Sequence, residues 1–248
     1  LHTDFRLDSD GGYLALVKPD GLTIASSYLY PPQIGDISYG TLGLEQTEGS
    51  FRNPSPGDPN VGPQGDFLLE KVIFSQESQV ITEQLDLELS SPLPGTTIRY
   101  TTNATSNNPT WRTYTNPIRI RETTRVTARL EQPGKEPGPL RDRTFIKLAS
   151  NMQNVRSPLP LIIIDSFRRN IDGESSSNSQ NPKRPVHGIF IDVDPASGVA
   201  QPTDLPDFEG RGGMRVRGQT SAGFPKKQYS FETWTSEGDD KDVSIFGF

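Results

Sequence analysis

Apolar residues recur at every second position through much of the stretch from Phe67 to Leu148. Leu85, Leu87 and Leu89 alternate with Asp86 and Glu88, and Ile98, Tyr100 and Thr102 alternate with Arg99 and Thr101. Ile118 and Ile120, then Val126, Ala128 and Leu130, repeat the pattern with Arg and Thr between them. An extended chain turns successive side chains to opposite faces, so a period of two predicts strands with one row inward and one in water. Pro-Gly and Asn-rich turns separate these runs, and several short strands in one such segment predict a small antiparallel sandwich. Composition points the same way. The 248 residues include Gly 23 and Pro 22 and are only 31% hydrophobic, and both Gly and Pro disfavour helix interiors. No convincing amphipathic run exceeds about three turns of helix.

Elsewhere the texture changes. In residues 1–45, Gly12-Tyr-Leu-Ala-Leu-Val17 and Leu22-Thr-Ile-Ala25 flank Lys18-Pro-Asp-Gly21. Pro presets one turn dihedral and Gly accepts the positive one, so this is a predicted hairpin. Residues 46–66, centred on Asn53-Pro-Ser-Pro-Gly-Asp-Pro-Asn60, have no periodic apolar face and read as a linker. Residues 67–148 are the sandwich. Residues 149–248 hold four expected strands, at Leu161–Ile164, Gly188–Val193, Gly213–Arg217 and Gln228–Trp234, and a loop at Gly173–Asn181. The expected fold class is mainly β: an immunoglobulin-like antiparallel β-sandwich plus partial β-rich flanking domains.

Several chemistries are excluded by residue supply. With no cysteine, disulfides, thiolate metal sites and cysteine nucleophiles are impossible, and two histidines, His2 and His187, argue against a multi-histidine metal centre. A net charge of -6 gives no general attraction to nucleic acid. The longest apolar run, Leu159–Ile164, is far too short to span a bilayer. The chain starts at Leu1 and stops at Phe246-Gly-Phe248, and an excerpt of a longer polypeptide is expected.

Three stretches resemble known families. Asp207-Phe-Glu-Gly-Arg-Gly-Gly-Met-Arg-Val-Arg-Gly-Gln-Thr-Ser-Ala-Gly-Phe-Pro-Lys-Lys-Gln-Tyr-Ser-Phe-Glu232 resembles the signature of the spore-coat protein H (CotH-type) kinase family, and Leu159–Asp165 and Gly188–Asp194 are similar to the start of that domain. Residues 69–148 resemble the C-terminal sandwich of chitobiases and β-hexosaminidases through Pro94-Gly-Thr-Thr-Ile-Arg-Tyr-Thr-Thr102, Asn108-Pro-Thr110, Tyr114-Thr-Asn-Pro-Ile118 and Arg125-Val-Thr-Ala128. Asn103-Ala104 stands where that family carries an Asp-Gly turn. Residues 1–45, with Pro31-Pro32 and Ile37-Ser-Tyr-Gly40, resemble the last strands of a bacterial lamin-tail-type domain. This order of segments is similar to large exported bacterial proteins, which implies an extracellular or cell-surface location.

Gly210 to Lys227 carries Arg211, Arg215, Arg217, Lys226 and Lys227 without an acidic residue, and Gly210, Gly212, Gly213, Gly218 and Gly223 with them. Cations and accessible backbone amides together suit a polyphosphate. In a strand, Arg215 and Arg217 share one face and Met214 and Val216 the other. The CotH resemblance implies a phosphate contact from Lys226 or Lys227 and a nucleotide beside Gln219, Thr220 and Ser221. It implies ATP and Mg²⁺ for the full-length family member, with the catalytic and metal-binding aspartates beyond Phe248. No catalytic residue, metal ligand or cofactor is therefore assigned within this chain. G-x-G-x-x-G, H-R-D and D-F-G are all missing, because Arg215 stands at the third glycine and Asp207-Phe208 is followed by Glu209.

Tyr100, Trp111 and Tyr114 are candidates for a sugar-stacking platform, although a sandwich core also consumes aromatics. Asp192 and Asp194 alternate at a strand end, where such a pair could ligate calcium or magnesium but is more often solvated, and His187 beside Pro185 reads as a loop residue. The expected function is a non-catalytic structural or adhesive portion of an exported protein whose full-length form transfers phosphate from ATP to secreted proteins. The alternatives are an active atypical protein kinase, and a carbohydrate-binding or self-assembling surface module. Expected partners are a secreted protein or a surface polysaccharide, or further copies of the chain.

Overall fold

The computed structural model of the protein describes residues 7–8, 10–33, 37–42, 47–51, 53–60, 67–103, 109–171, 182–218, 223–235, 238 and 240–247. The chain divides into two compact units. Unit 1 comprises Leu1–Ile73, Ser90–Arg99 and Ala128–Leu140, and unit 2 comprises Phe74–Leu89, Tyr100–Thr127 and Arg141–Phe248. The strands of the first half are β1 (Gly12–Val17), β2 (Ile24–Tyr30), β3 (Ser38–Leu42), β4 (Thr47–Phe51), β5 (Ile73–Phe74), β6 (Gln79–Ile81), β7 (Leu85–Leu87), β8 (Leu89–Ser90) and β9 (Thr97–Thr101). They are followed by β10 (Arg112–Thr113), β11 (Ile118–Ile120), β12 (Thr124–Glu131), β13 (Arg141–Lys147), β14 (Leu161–Asp165), β15 (Arg184–Ile191), β16 (Phe208–Arg217) and β17 (Gln228–Thr233). The fold is mainly β, and a single 3-10 turn at Ser150–Met152 is the sole helical element among the described residues.

In unit 1, β1 and β2 form the expected antiparallel hairpin, with Gly12 opposite Tyr30 and an irregularity between Leu16 and Val17. Asp20 closes its turn by accepting the N–H groups of Leu22 at 3.0 Å and Thr23 at 2.8 Å, while Gly21 takes a φ of 71°. A hairpin of β3 and β4 follows, with Ser38 opposite Phe51. Strand β4 lies inside the stretch expected to be linker, and its Phe51 is 1% exposed. Thr47–Phe51 has no alternation of its own; it becomes a strand by pairing with β3. Asn60 ties the following loop back by donating from Nδ2 to the Thr41 carbonyl at 2.8 Å.

The largest sheet has the order β10-β9-β12-β13-β6, and β9 and β12 lie partly in each unit. In β12 the alternation is realised, with Val126, Ala128 and Leu130 at 0% exposure. On the other row Thr127 is 4% exposed, while Arg129 and Glu131 stay partly in water. Strand β9 departs from expectation: Thr101 is buried at 1% while Ile98 and Tyr100 are half-buried. The Thr101 hydroxyl donates to Asn103 Oδ1 at 2.6 Å, which removes the usual cost of an interior hydroxyl. One pair breaks the antiparallel rule, because β13 and β6 run parallel with Ile146 beside Val80. A separate ladder pairs β11 with β7, setting Arg119 opposite Asp86.

In unit 2, β14-β15-β16-β17 form an antiparallel sheet. Ile189 and Ile191 from one face join Ile146 and Ala200 in a buried cluster, with Val80, Leu161, Ile163 and Val193 packed against it. Strands β6 and β13 thus share a core with this sheet. On the opposite face Phe190 meets Phe208, Phe231 and Phe246 at ring-centroid distances of 5.6, 5.1 and 6.0 Å. Burial of the Phe190 ring contributes roughly 1.5–3 kcal/mol, and the half-buried rings around it less. His187 is not a loop residue. It lies within β15, 3% exposed, opposite Asp165 on one side and Arg211 on the other.

The glycines of β16 are explained by this packing. A Cβ on Gly212 would stand 2.5 Å from the Glu232 carbonyl oxygen and 2.7 Å from the Phe231 ring, and one on Gly213 would stand 2.1 Å from the Trp234 ring. The Glu232 carbonyl belongs to the paired strand and cannot retreat. Gly212→Ala is expected to lower stability by about 1–3 kcal/mol, measured as a shift in the urea midpoint. Gly223→Ala, where nothing lies within 4 Å, serves as the neutral control.

Candidate functional site

Strand β11 buries Ile118 and Ile120 and turns Arg119 outward between them. Arg121 and Glu122 continue the chain into the turn before β12, where Arg125 sits at the strand's start. These residues form one wall of an open cleft of about 910 Å³ within unit 2. Tyr100, Thr102, Asn103 and Arg112 form a second wall, and Lys147, Asp165, Phe167 and Arg168 a third. The cleft has six cationic side chains and two carboxylates in its lining, in a chain whose net charge is -6.

The cations differ in their commitments. Arg125 Nε is 2.9 Å from Asp142 Oδ2, and the two side chains are only 10% and 13% exposed. The Arg125 guanidinium also lies 5.8 Å from the centroid of the Phe167 ring, within cation–π range. Arg119 forks onto Asp86 through Nε at 2.9 Å and Nη2 at 3.3 Å. That contact holds the Asp86 carboxyl below its ordinary value, chiefly by hydrogen bonding to the charged form. Arg168 reaches Glu122 at 2.8 Å, and Lys147 donates to the Thr82 carbonyl.

Phe167 and Arg168 both take left-handed backbone, with φ of 52° and 62°. Two such non-glycine residues in succession cost about 1–3 kcal/mol each, so the surroundings must hold them. Asp165 Oδ1 accepts the Phe167 N–H at 2.8 Å, Ser166 Oγ donates to the Arg169 carbonyl at 2.8 Å, and Arg125 lies over the Phe167 ring. Both cleft carboxylates therefore have structural duties: Asp165 caps the turn and Glu122 holds Arg168. Nothing in the sequence pattern singled out this turn, because its constraint arises from segments distant in the chain.

Two of the three aromatic residues named as sugar-stacking candidates are in contact. Tyr100 lines the cleft and meets Tyr114 edge to face, with ring centroids 6.4 Å apart and an interplanar angle of 79°. Trp111 is half-buried just before β10 and is not among the cleft-lining residues.

The β16–β17 pairing sets Arg215 opposite Ser230 and Arg217 opposite Gln228, with Lys226 and Lys227 immediately before β17. Register thus brings Arg217 and Lys227 to the same end of the ladder. Gln219, Thr220 and Ser221 lie outside the described residues. Gly210, Gly212 and Gly213, expected to open the backbone to a ligand, instead receive the rings of Phe208, Phe231 and Trp234. Among the described residues no group of three or more His, Asp or Glu side chains could hold a metal. The described residues do not fit a Mg²⁺ site, and no phosphoryl-transfer step follows from them. Asp194 serves a turn, its carboxyl held below the ordinary value by hydrogen bonding, first of all from the Ala196 backbone N–H. The side chain that sequence reasoning misplaced is His187, whose Nε2 lies 3.0 Å from Glu209 Oε2 without the alignment of a hydrogen bond.

Residues 76–140, about a quarter of the chain, match the family model of the chitobiase/beta-hexosaminidase C-terminal domain. No curated protein and no solved structure matches the chain. The matched segment is an immunoglobulin-like sandwich, and such a domain fits a non-catalytic structural or binding module.

Asp142→Ala would leave the Arg125 charge largely out of water and without its partner. The expected loss is about 3–5 kcal/mol, read from urea denaturation, with Asp86→Ala at the exposed pair leaving the midpoint nearly unchanged. Acid provides a second check. The carboxyls of Asp20, Asp86 and Asp194 are all held below their ordinary value, Asp20 chiefly by the Thr23 hydroxyl. Their stabilisation is complete above the unfolded carboxylate pKa of about 4 and is lost as pH falls through the lower folded values. The urea midpoint is expected to drop between pH 6 and pH 3, and a rise over that interval contradicts the assignment.

Proposed function

We propose that this chain is a non-catalytic portion of an exported multidomain protein and that its cleft binds carbohydrate. The observation that carries this reading is the position of Tyr100, on the cleft wall and inside the segment that matches a domain family named for chitobiases and β-hexosaminidases. A sugar has apolar C–H faces and a rim of hydroxyls, and an aromatic ring beside Thr102 and Asn103 offers complementary chemistry for both. A volume of about 910 Å³ suits a short oligosaccharide. A non-catalytic role is supported by the two cleft carboxylates, since glycoside hydrolysis requires a pair free to act as acid and as base or nucleophile. The resemblance of the flanking segments to lamin-tail-type and CotH-type domains supports an extracellular or cell-surface setting. A surface polysaccharide or a secreted protein is then the partner.

A second reading rests on the β16–β17 hairpin. Arg215 and Arg217 share one face of β16 while Met214 and the buried Val216 take the other, and the register carries Lys226 and Lys227 to the Arg217 end. This arrangement supports nucleotide contact in a longer CotH-like protein that uses ATP and Mg²⁺ to phosphorylate secreted proteins.

One ligand panel tests both readings: neutral and acidic oligosaccharides and ATP, titrated into the purified chain by calorimetry. At least one oligosaccharide is expected to bind, with Tyr100→Ala weakening it roughly three- to tenfold and Tyr100→Phe retaining it. A stably folded chain that binds no glycan is a spacer, and the carbohydrate reading fails. If ATP binds equally well after Lys226→Ala and Lys227→Ala, the nucleotide reading fails.

A further inference from the structure

The charge of the cleft is opposite to that of the chain around it. Arg112, Arg119, Arg121, Arg125, Lys147 and Arg168 line it, although acidic residues outnumber basic ones overall, 31 to 25. Coulomb attraction among a protein's own charges would ordinarily supply carboxylates to such a cluster, and it does so for Arg119, Arg125 and Arg168 through Asp86, Asp142 and Glu122. Arg112 and Arg121 are different. Both are exposed, and neither side chain forms an ion pair or hydrogen bond among the described residues. Arg121 lies close enough to the Arg119–Asp86 pair to lower the Asp86 pKa, as the smallest of the causes at work there.

We infer that the cleft selects an acidic oligosaccharide, one whose sugars bear carboxylate or sulfate groups, with Arg112 and Arg121 as the residues that recognise the charge. This inference rests on the carbohydrate reading and narrows its ligand class. A guanidinium offers two parallel N–H donors that match the oxygens of a carboxylate or sulfate, so a fork left unpaired at a cleft wall is suited to an oxyanion. The same cleft is lined by the neutral hydrogen-bonding groups of Thr102 and Asn103 and the ring of Tyr100, which suit the uncharged remainder of a sugar. The left-handed Phe167–Arg168 turn closes one side, and left-handed non-glycine residues held by their surroundings concentrate at ligand sites. Nucleic acid is the other polyanion to weigh. Duplex DNA carries about one charge per ~1.7 Å of helix axis, a density that a chain of net charge -6 repels beyond the cleft. A glycan with at most a few acidic groups within the cleft avoids that repulsion.

The test compares four probes against the intact chain by calorimetry at fixed salt: a galacturonate hexasaccharide, a sulfated hexasaccharide, a neutral hexasaccharide and a short duplex DNA. At least one acidic sugar is expected to bind ten or more times more tightly than the neutral one, and comparison of the two identifies which oxyanion is preferred. Arg112→Gln and Arg121→Gln are each expected to weaken that binding roughly tenfold. Lys18→Gln, in the exposed turn between β1 and β2, should leave it unchanged, as should the thermal midpoint of all three variants. Equal binding of neutral and acidic sugars overturns the inference but leaves the carbohydrate reading standing. Acidic binding that is indifferent to both arginine substitutions overturns the site. Tighter binding of DNA than of any sugar overturns the ligand class, and failure of every sugar to bind overturns the carbohydrate reading together with the inference.

Discussion

Strand β12 is closed to water along one row and only partly open along the other. Val126, Ala128 and Leu130 are fully buried on one row, and Thr127 is nearly so on the other. It is the middle of the five strands in the order β10-β9-β12-β13-β6, with a paired strand at each edge. Its position has a consequence at its first turn. Arg125, two residues into the strand, is drawn out of water with it, and the neighbouring strand β13 supplies Asp142 to hold the charge. The Phe167 ring covers the same guanidinium. Burial of an apolar row thus fixes a cation, and the cation in turn helps to hold the strained turn at the cleft rim.

The same logic separates the two groups of cations. In the cleft, Arg119, Arg125 and Arg168 are each anchored by a carboxylate, Arg119 through its register opposite Asp86, while Arg112 and Arg121 are left without one. In β16 the glycines that accompany Arg211, Arg215 and Arg217 are occupied by aromatic rings, so their lack of a Cβ serves packing. A glycine-rich basic segment therefore has two physical readings, phosphate cradle and close sheet packing, and glycine positions alone do not choose between them. Distances from a missing Cβ to its neighbours do choose, and here they measure 2.5 Å at Gly212 and 2.1 Å at Gly213.

Local pattern was reliable where one strand's own residues contained the whole signal. The Pro-Asp-Gly hairpin, the alternating rows of β11 and β12 and the apolar run of β14 belong to this class. It was unreliable where a partner strand supplied the reason. Thr47–Phe51 has no alternation and is a strand because β3 pairs with it. Strand β15 begins at Arg184, earlier than its apolar run, because β16 pairs back to Met214. Thr101 is inside because Asn103 satisfies its hydroxyl, and a hydroxyl's partner is invisible to a hydropathy pattern. His187 was misread for the same reason: Pro185 suggested a loop, while the pairing of β14, β15 and β16 enclosed the imidazole.

Sequence by itself determined the mainly β class, the immunoglobulin-like segment and the absence of thiol chemistry, since side-chain period and residue supply are properties of the chain alone. It also supplied Tyr100 as a binding candidate, because an aromatic at a strand end is visible without coordinates. Tertiary structure alone decided that Arg112, Arg121 and Arg168, from three separate stretches, line one cleft with Tyr100. Electrostatic attraction and repulsion depend on separation in space, and the folding that brings residues 112 and 168 to the same cleft is not written at either position.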